Sequence, residues 1–445
     1  MKRQDRVKKQ NPSSILALVE FLLQRDMLGV ADFVLLIRDS GEIEKHYSTF
    51  VGRSNPNRIV IPSADYSELC KLYNLPRRFF PPQRFERSYK TVLNTSGARY
   101  TNMPKDFPWN KVIPKKIYNR ELEKLVENLQ EDFSGLNLNY YFGPYKRHSV
   151  IFKSLRRAAI DLRQFEAFIA DGNETSSKAI LKTFETETLH RGRAYCSKVL
   201  YDRLSSITGR LVVKGGPNIL HLRKDYRQII KSQWGEDGAV YYLDYKSLEP
   251  RILLALKDSN LKTPKDLYLH VAKQMGVEDS IDRKLIKAVI ISMIYGSGDD
   301  ELVKKLKGKI DYPEDFIASI KEQFGVEELK DRLRDEYEAN GGKLILNLYE
   351  RPIFSESTPP YVLVNYFIQS TAVDVALNGF SNIIERLAKS DGLKLVRPLF
   401  ILHDALILDV HNSAKPLLAK FAKAGSINIP KFDNTQFWID VEQLS

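Results

Sequence analysis

The chain is poor in the residues that build disulfide frameworks, zinc sites and membrane spans. Only Cys70 and Cys196 among its 445 residues are cysteines, so a disulfide scaffold or a cysteine-based zinc site has no support. The seven histidines are scattered without metal-ligand spacing. No stretch approaches the roughly 18 uninterrupted apolar residues of a membrane span. We therefore expect a cytoplasmic protein without a membrane partner.

Positive charge is in excess. Lysine and arginine number 68 against 56 acidic residues, a formal net charge of +12. Such a balance favours a polyanionic partner, because nucleic acid is bound largely through its phosphates. The alternative is a basic protein whose charge serves only solubility. The length allows one to three domains with a sizeable core.

Two apolar segments each deliver an aspartate. Tyr241–Leu243 leads into Asp244, and Leu399–Leu402 leads through His403 into Asp404. Ionised carboxylates are rarely buried without a partner or a metal. Two of them on strands suggest a shared Mg²⁺ site for phosphoryl or nucleotidyl transfer. The alternative is that each aspartate merely ends a strand or caps a helix.

A third segment lies between the two aspartates. It carries residues at four-residue intervals: Arg283, Lys287, Ile291 and Tyr295. This spacing predicts one slowly winding stripe along a single helix. The cations can hold a triphosphate and the tyrosine can stack on a base. The alternative is an amphipathic helix with a solvated basic edge.

These segments resemble the family A DNA polymerases, the DNA polymerase I type. Motif A matches at Asp244, Tyr245, Glu249 and Arg251, motif B at Arg283, Lys287, Tyr295 and Gly296, and motif C at His403 and Asp404. Further matches in the family's order occur at Tyr201–Leu211, Pro217–Asn218, Asp266–Tyr268 and Asn365–Ala372. Together they cover about residues 190 to 445.

The resemblance implies an α+β right-hand polymerase fold with an antiparallel palm sheet, helical fingers and a helical thumb. The expected boundaries are an N-terminal α/β extension at 1–147, thumb at 148–207, palm at 208–250, fingers at 251–345 and palm at 346–445. In the extension, we predict a helix over Ser14–Leu28 and a strand over Phe33–Ile37.

The resemblance also implies a two-metal mechanism of DNA-directed DNA synthesis, with primer-template DNA and deoxynucleoside triphosphates as partners. Mg²⁺, for which Mn²⁺ can substitute, would bind to Asp244, Asp404 and the carbonyl of Tyr245. The implied catalytic residues are Asp244, Asp404 and Lys287. Nucleotide binding falls to Arg283, Lys287, Ile291, Tyr295 and Glu249, and DNA binding to Arg210, Arg251, Asn365, Gln369 and His403.

Several positions depart from the family pattern. Ala405 replaces the glutamate after the motif C aspartate, Ile291 stands where the family has Phe or Tyr, and Tyr361 where Arg is common. Lys246 and Pro250 are unusual within motif A. These departures are typical of a divergent enzyme, such as one encoded by a phage or other mobile element, acting in the nucleoid or the infected-cell cytoplasm.

Residues 1–147 carry no apolar strand with the Asp-x-Glu pair of a proofreading exonuclease. We therefore expect no intrinsic 3′–5′ proofreading. Whether an exonuclease or a processivity partner acts in trans stays open at this point. Two other functions stay open. A single-subunit RNA polymerase shares the aspartates and the motif B helix but has no reason to keep Glu249. An inactive DNA-binding scaffold would keep the basic surface without needing both aspartates.

Overall fold

The computed structural model describes residues 16–22, 32–38, 59–61, 63–76, single residues between 114 and 132, and 136–444 except 172–174, 191–192, 260–262 and 391. The chain divides into two compact units, residues 1–139 and 140–445. Among the helices in these ranges, none is both long and apolar enough to cross a membrane.

The first unit contains a three-stranded antiparallel sheet of β1 (Leu16–Leu22), β2 (Asp32–Arg38) and β3 (Ile59–Ile61), followed by α1 (Ser63–Leu72). The strand predicted at Phe33–Ile37 is confirmed. The helix predicted over Ser14–Leu28 is wrong, because Leu16–Leu22 pairs along its whole length with β2. A short apolar run does not by itself distinguish a strand from a helix.

The second unit alternates helices and strands. Its helices are α2 (Lys146–Ser154), α3 (Leu162–Asp171), α4 (Thr175–Lys182), α5 (Leu248–Lys257), α6 (Leu267–Gln274), α7 (Arg283–Ile294), α8 (Asp299–Leu306), α9 (Pro313–Phe324), α10 (Val326–Ala339), α11 (Pro360–Lys389) and α12 (Leu418–Ser426). Its strands are β4 (Ala159–Ile160), β5 (Thr186–His190), β6 (Arg193–Cys196), β7 (Leu200–Asp202), β8 (Val212–Gly215), β9 (Ile230–Lys231), β10 (Gly238–Tyr245), β11 (Leu344–Leu346), β12 (Pro352–Phe354), β13 (Val396–Leu402), β14 (Ala405–His411) and β15 (Ile439–Gln443). Helices and antiparallel strands in one unit confirm the α+β prediction.

A four-stranded antiparallel sheet organises this unit, and we call it the central sheet. Its strand order is β13-β14-β10-β15, so the strand that carries Asp244 lies inside the sheet. The strand β14 is buried along nearly its whole length, and apolar side chains of β10 and β13 join the same core. This packing fixes the register, because a slip of one residue would turn every buried side chain to the other face.

The longest helix, α11, is buried through its middle turns. It contains Asp374, a fully buried carboxylate that accepts hydrogen bonds from the Tyr140 hydroxyl at 2.8 Å and the Asn347 side-chain amide at 2.6 Å. Burial raises the pKa of Asp374, while Arg351 and these donors oppose the rise. Buried polar groups are stable only with such partners, so this contact fixes α11 relative to the residues around it.

The segment 148–207 is more mixed than its sequence indicates. Helices α2, α3 and α4 are present, but β4 and β5 belong with β6 and β9 to a second antiparallel sheet of order β5-β6-β4-β9. The partner strand β9 lies far along the chain from β4. Local periodicity carries no information about such a partner, which is why helix was expected through much of this region.

Candidate active site

A cleft of about 400 Å³ opens beside the ends of β10 and the β13–β14 hairpin, with α7 and α11 as its other walls. Most of the predicted site residues line it: Arg210, Asp244, Tyr245, Glu249, Lys287, Ile291, Tyr295, Gln369, His403 and Asp404. Residues from five separate segments of the chain therefore meet in one cavity. The exceptions are Arg251, Arg283 and Asn365.

The two aspartates stand at neighbouring strand ends. Asp244 is next to last in β10 and lies opposite Ala405 in the β10–β14 register. Asp404 belongs to the two-residue turn between β13 and β14. The backbone N–H of Tyr245 donates to the Asp404 carbonyl at 3.2 Å. Strand pairing thus brings the two carboxylates to the same end of the central sheet, at neighbouring strand ends.

The backbone beside each carboxylate is left-handed. His403 has φ +56°, and Ser247, three residues after Asp244, has φ +51°. Such conformations cost non-glycine residues about 1–3 kcal/mol and cluster at functional sites. At His403 the positive φ suits the tight hairpin that presents Asp404. At Ser247 it turns the chain directly from β10 into α5, which carries Glu249.

The cleft disfavours negative charge on both aspartates. Burial, together with the charges of Asp404, Glu442 and Asp440, raises the pKa of Asp244 to about 7. Burial also raises the pKa of Asp404, against an opposing effect of its own backbone N–H. The Asp244 side chain still reaches solvent through the cleft, and water there screens part of the repulsion. Burial is the largest cause of both rises, and only for Asp244 do neighbouring carboxylates add to it.

The donor set fits a divalent cation that shares its ligands with a substrate. In the described part of the chain, no group of three or more His, Cys, Asp and Glu side chains is arranged to hold a metal. Asp244 and Asp404 are the two carboxylates that the strand ends bring to the cleft. Mg²⁺ is commonly held by one or two carboxylates and completes its shell with waters and substrate phosphates. A hard cation would also relieve the repulsion between the two aspartates.

Three predicted residues form a hydrogen-bonded group across the cleft. A guanidinium nitrogen of Arg210 donates to the Glu249 carboxylate at 3.1 Å and to the Tyr295 hydroxyl at 3.2 Å. The Tyr295 hydroxyl also lies 3.4 Å from Glu249. Burial raises the pKa of Glu249, with Arg210 opposing the rise. The contacts hold the Glu249 side chain in one orientation at the start of α5.

The helix α7 presents its stripe to the cleft. Asp282 caps the helix, its carboxylate accepting the N–H of Leu285 at 2.7 Å. One face of α7 packs into the protein, while Lys287, Ile291 and Tyr295 line the cavity. The helix ends before Gly296, whose φ of +83° suits a glycine. The single stripe predicted from four-residue spacing holds for these three residues.

The first member of that stripe, Arg283, lies at the start of α7 and outside the cavity lining. Its guanidinium donates to Asp266 at 2.7 Å and lies 5.3 Å from the ring centroid of Tyr268. Asn365 also lies outside the lining, but its side-chain oxygen accepts a hydrogen bond from Gln369, which lines the cavity. Arg283 and Asn365 therefore each contact a residue that lines the cleft, Tyr268 and Gln369 respectively.

Arg251 is a structural residue. Its side chain is fully buried, and it donates to the carbonyls of Lys246, Pro264 and Lys265 and to the hydroxyl of Thr263. A guanidinium with these partners ties α5 to the segment before α6. The prediction that Arg251 contacts DNA is therefore wrong, because the group lies inside the protein.

Two features of the site were not predicted from the sequence. Tyr268 lines the cleft; its position in the Asp266–Tyr268 match was the available signal. Asp440 lies opposite Asp244 on β15 and forms ion pairs with Lys246 and with Lys265, the latter at 3.0 Å. The pairing of the last strand with β10 is long-range, so local sequence gives no indication that this acid approaches the cleft.

The chain is similar to known DNA polymerases. Residues 198–431, just over half of the chain, match the family model for DNA polymerase family A. Among solved structures, the POL domain of Pol1 from M. smegmatis, in complex with DNA primer-template and dNTP, is 19% identical with a TM-score of 0.47. The match covers 69% of this chain and 60% of that chain. No curated protein matches the sequence.

Proposed function

Since the chain belongs to DNA polymerase family A, we propose that it is a DNA-directed DNA polymerase that extends a primer with deoxynucleoside triphosphates. The observation that carries the proposal is that Asp244, at the end of β10, and Asp404, in the β13–β14 turn, lie at neighbouring strand ends of the central sheet. Lys287 enters the same cleft from α7. Two carboxylates and a cation around one cavity are what nucleotidyl transfer from a triphosphate requires.

In this proposal the central sheet and α11 are the palm, spanning 208–250 and 346–445. Residues 251–345, with α7, are the fingers, and 148–207 the thumb. Residues 1–147 form a separate N-terminal extension. The proposed partners are primer-template DNA and deoxynucleoside triphosphates, since the cleft combines groups suited to metal, phosphate and base.

Asp244 and Asp404 would hold two Mg²⁺ ions, with the Tyr245 carbonyl as a further ligand and Mn²⁺ able to substitute. When bound, the ions activate the primer 3′-hydroxyl and neutralise the triphosphate and the leaving pyrophosphate. The raised pKa values support this role, because two repelling carboxylates gain more from a shared cation than isolated ones. Ala405 offers no third carboxylate beside them.

Lys287 would bind the triphosphate and donate a proton to the departing pyrophosphate. Its side chain is exposed within the cleft and lowers the pKa of Asp244 by its charge, so it lies within electrostatic reach of the proposed metal site. Arg283 would contact the phosphate tail at the mouth of the cleft. In the structure the Arg283 guanidinium forms an ion pair with the Asp266 carboxylate.

The primer end and the first base pair would be held by Arg210, His403, Gln369 and Asn365. Polar side chains of this kind suit the minor groove, whose acceptors are similar for every base pair. Burial lowers the pKa of His403, so the imidazole is neutral near pH 7 and can serve as a hydrogen-bond partner. Tyr295 would stack at the templating position.

Glu249 would exclude ribonucleotides by occupying the space of a 2′-hydroxyl. We expect Glu249→Ala to relax the preference for deoxynucleotides by about 10- to 200-fold, the range for changes in pocket size. The readout is the ratio of kcat/KM for a matched deoxynucleotide and ribonucleotide. Glu249→Gln, which keeps the volume but removes the ion pair with Arg210, is the control and should retain the preference. Equal selectivity in wild type and Glu249→Ala would remove this role.

Ile291 lines the cleft one turn beyond Lys287 and would face the sugar. It lacks the hydroxyl with which a tyrosine can replace a missing 3′-hydroxyl of the nucleotide. We expect Ile291→Tyr to raise dideoxynucleotide use relative to the normal substrate by about tenfold, equivalent to 1.4 kcal/mol. Ile291→Phe supplies the ring without the hydroxyl and should leave the ratio low. A ratio that is the same in all three proteins would show that position 291 does not sense the sugar.

We also propose that the chain lacks 3′–5′ excision, because the sequence of residues 1–147 contains no Asp-x-Glu pair of the kind that such a site requires. An exonuclease or processivity factor would then act in trans, in the nucleoid or the cytoplasm of an infected cell.

The proposed activity is tested by incubating the purified chain with a recessed primer-template, Mg²⁺ and deoxynucleotides. Primer elongation supports the proposal, whereas an unextended primer contradicts it. A mismatched primer in the same assay reports excision.

A further inference from the structure

The inference concerns Tyr361, at the start of α11, and rests on the proposed function. Tyr361, Asn365 and Gln369 follow one another at four-residue spacing and share one face of the helix. Gln369 lines the cleft and donates to Asn365, while the residues between them, such as Val364 and Ile368, are buried. The face therefore leads from the cavity outward to Tyr361.

Tyr361 lies against the glycine that ends motif B. A Cβ placed on Gly296 would stand 2.7 Å from Cδ2 of the Tyr361 ring and 3.4 Å from its Cγ. Any side chain at 296 would therefore displace the ring, and the φ of +83° disfavours one as well. The Tyr361 ring thus lies against the backbone of Gly296, the residue that follows Tyr295 at the mouth of the cleft.

Both rings are unusually open. Tyr295 is 40% exposed and Tyr361 is 51% exposed. Among the residues that the structure describes, none hydrogen-bonds to the Tyr361 hydroxyl or stacks on its ring. An exposed aromatic ring is a platform on which an unpaired base can stack, and this contact tolerates every sequence. The adjoining amides of Asn365 and Gln369 suit nucleic acid better than an apolar protein segment.

We propose that Tyr361 stacks on the unpaired template base that follows the templating base. The proposed function gives Tyr295 the templating position, and Tyr361 is the next ring outward, across Gly296. The ligand class is a nucleobase in single-stranded DNA. Tyr361 thereby orients the incoming template, and it does so through a ring rather than through a cation.

The test compares two primer-templates with the wild-type protein and its variants. One carries several unpaired template nucleotides beyond the templating base, and the other ends at that base. The variants are Tyr361→Leu, which keeps apolar volume without a ring, and Tyr361→Phe, which keeps the ring. Tyr312→Leu is the matched control, because Tyr312 is 73% exposed and lies outside the cleft lining. Dissociation constants are measured by fluorescence anisotropy, and 2-aminopurine next to the templating base reports stacking.

We expect Tyr361→Leu to lose affinity for the overhang substrate about tenfold more than for the flush one, as for one lost stacking contact. It should also leave the 2-aminopurine unquenched, whereas Tyr361→Phe and Tyr312→Leu behave like wild type. Equal affinities for Tyr361→Leu and wild type, or equal losses on both substrates, overturn the inference. The first of these would assign the ring to another class of partner, such as a protein.

The two proposals fail differently. If the wild-type chain neither binds nor extends a primer-template, the proposed function fails and the role of Tyr361 falls with it. If the wild-type chain extends primers while Tyr361→Leu keeps both the overhang preference and the quenching, only the stacking inference fails. Thermal unfolding of each variant distinguishes a lost fold from a lost contact. Should Tyr361→Leu unfold, Tyr361→Gln takes its place as the variant without a ring, with the same expected losses.

Discussion

Replacing either Asp244 or Asp404 with alanine is expected to lower the rate of primer extension at least about 10³-fold, the scale for loss of a central catalytic group. In the proposed site each carboxylate would supply metal ligands, and among the described residues no group of three acids is arranged to replace a lost one. The fold should survive the change, because the pKa of each aspartate is raised and its charge is unfavourable in the native protein. Extension is measured by rapid quench and DNA binding by anisotropy.

Asp440 provides a matched control. It lies on the strand next to Asp244, opposite it in register, but its carboxylate is neutralised by Lys246 and Lys265. Asp440→Ala should therefore keep extension within about tenfold of wild type, a change of 1.4 kcal/mol. If Asp440→Ala were as inactive as Asp244→Ala, removal of a neighbouring carboxylate would impair extension as much as removal of a proposed metal ligand. The assignment of Asp244 and Asp404 as the metal site would then be wrong.

Lys287→Ala is expected to lower the rate of nucleotide incorporation by about 10²- to 10⁴-fold, the usual contribution of a positioned general acid. In the proposed mechanism the Lys287 side chain has two roles, because it would bind the triphosphate and protonate the leaving pyrophosphate. Lys287→Arg separates them. Arginine keeps the positive charge but does not release a proton at accessible pH, so the variant should regain nucleotide affinity more fully than turnover.

Single-turnover rates at varied nucleotide concentration give both quantities for Lys287. Lys284 is the control, because it is exposed on the same helix but does not line the cleft. Lys284→Ala should behave like wild type. A Lys287→Ala protein with normal turnover would mean that α7 does not direct this residue to the triphosphate.

The aspartates at the strand ends could be predicted from the sequence, because an acidic residue that interrupts an apolar run indicates both a strand and a functional carboxylate. Asp244 and Asp404 each interrupt an apolar run, and an acid in such a place needs a partner or a cation. Four-residue spacing likewise placed Lys287, Ile291 and Tyr295 on one face of a helix. In both cases the signal lies within a few consecutive residues, which is the range over which local sequence is informative.

The sequence-based predictions that were wrong or incomplete concern residues whose surroundings are set by contacts far along the chain. The resemblance of motif A to the family suggested a DNA contact for Arg251, but the side chain is buried against the segment Thr263–Lys265, which local sequence does not indicate. Leu16–Leu22 has a pattern compatible with helix and strand, and its pairing with Asp32–Arg38 decides between them. Asp440 reaches Asp244 only through the pairing of two strands far apart in the chain.

The departures from the family pattern gain meaning from their surroundings. Lys246, unusual in motif A, forms an ion pair with Asp440 on β15. Tyr361, found where arginine is common, packs on Gly296 at the mouth of the cleft. Ala405 lies buried opposite Asp244. Tyr361 therefore places a ring beside the end of α7, and Lys246 forms an ion pair with the strand next to the one that carries Asp244.

The measurement that tests the central claim most directly is incorporation of a single nucleotide opposite each of the four templating bases. The purified chain is mixed with a recessed primer-template, one deoxynucleotide at a time, in Mg²⁺ or in EDTA. The account predicts that only the complementary nucleotide is added, only with Mg²⁺, and not by Asp244→Ala. Addition that ignores the templating base, addition in EDTA, or normal addition by Asp244→Ala would contradict it.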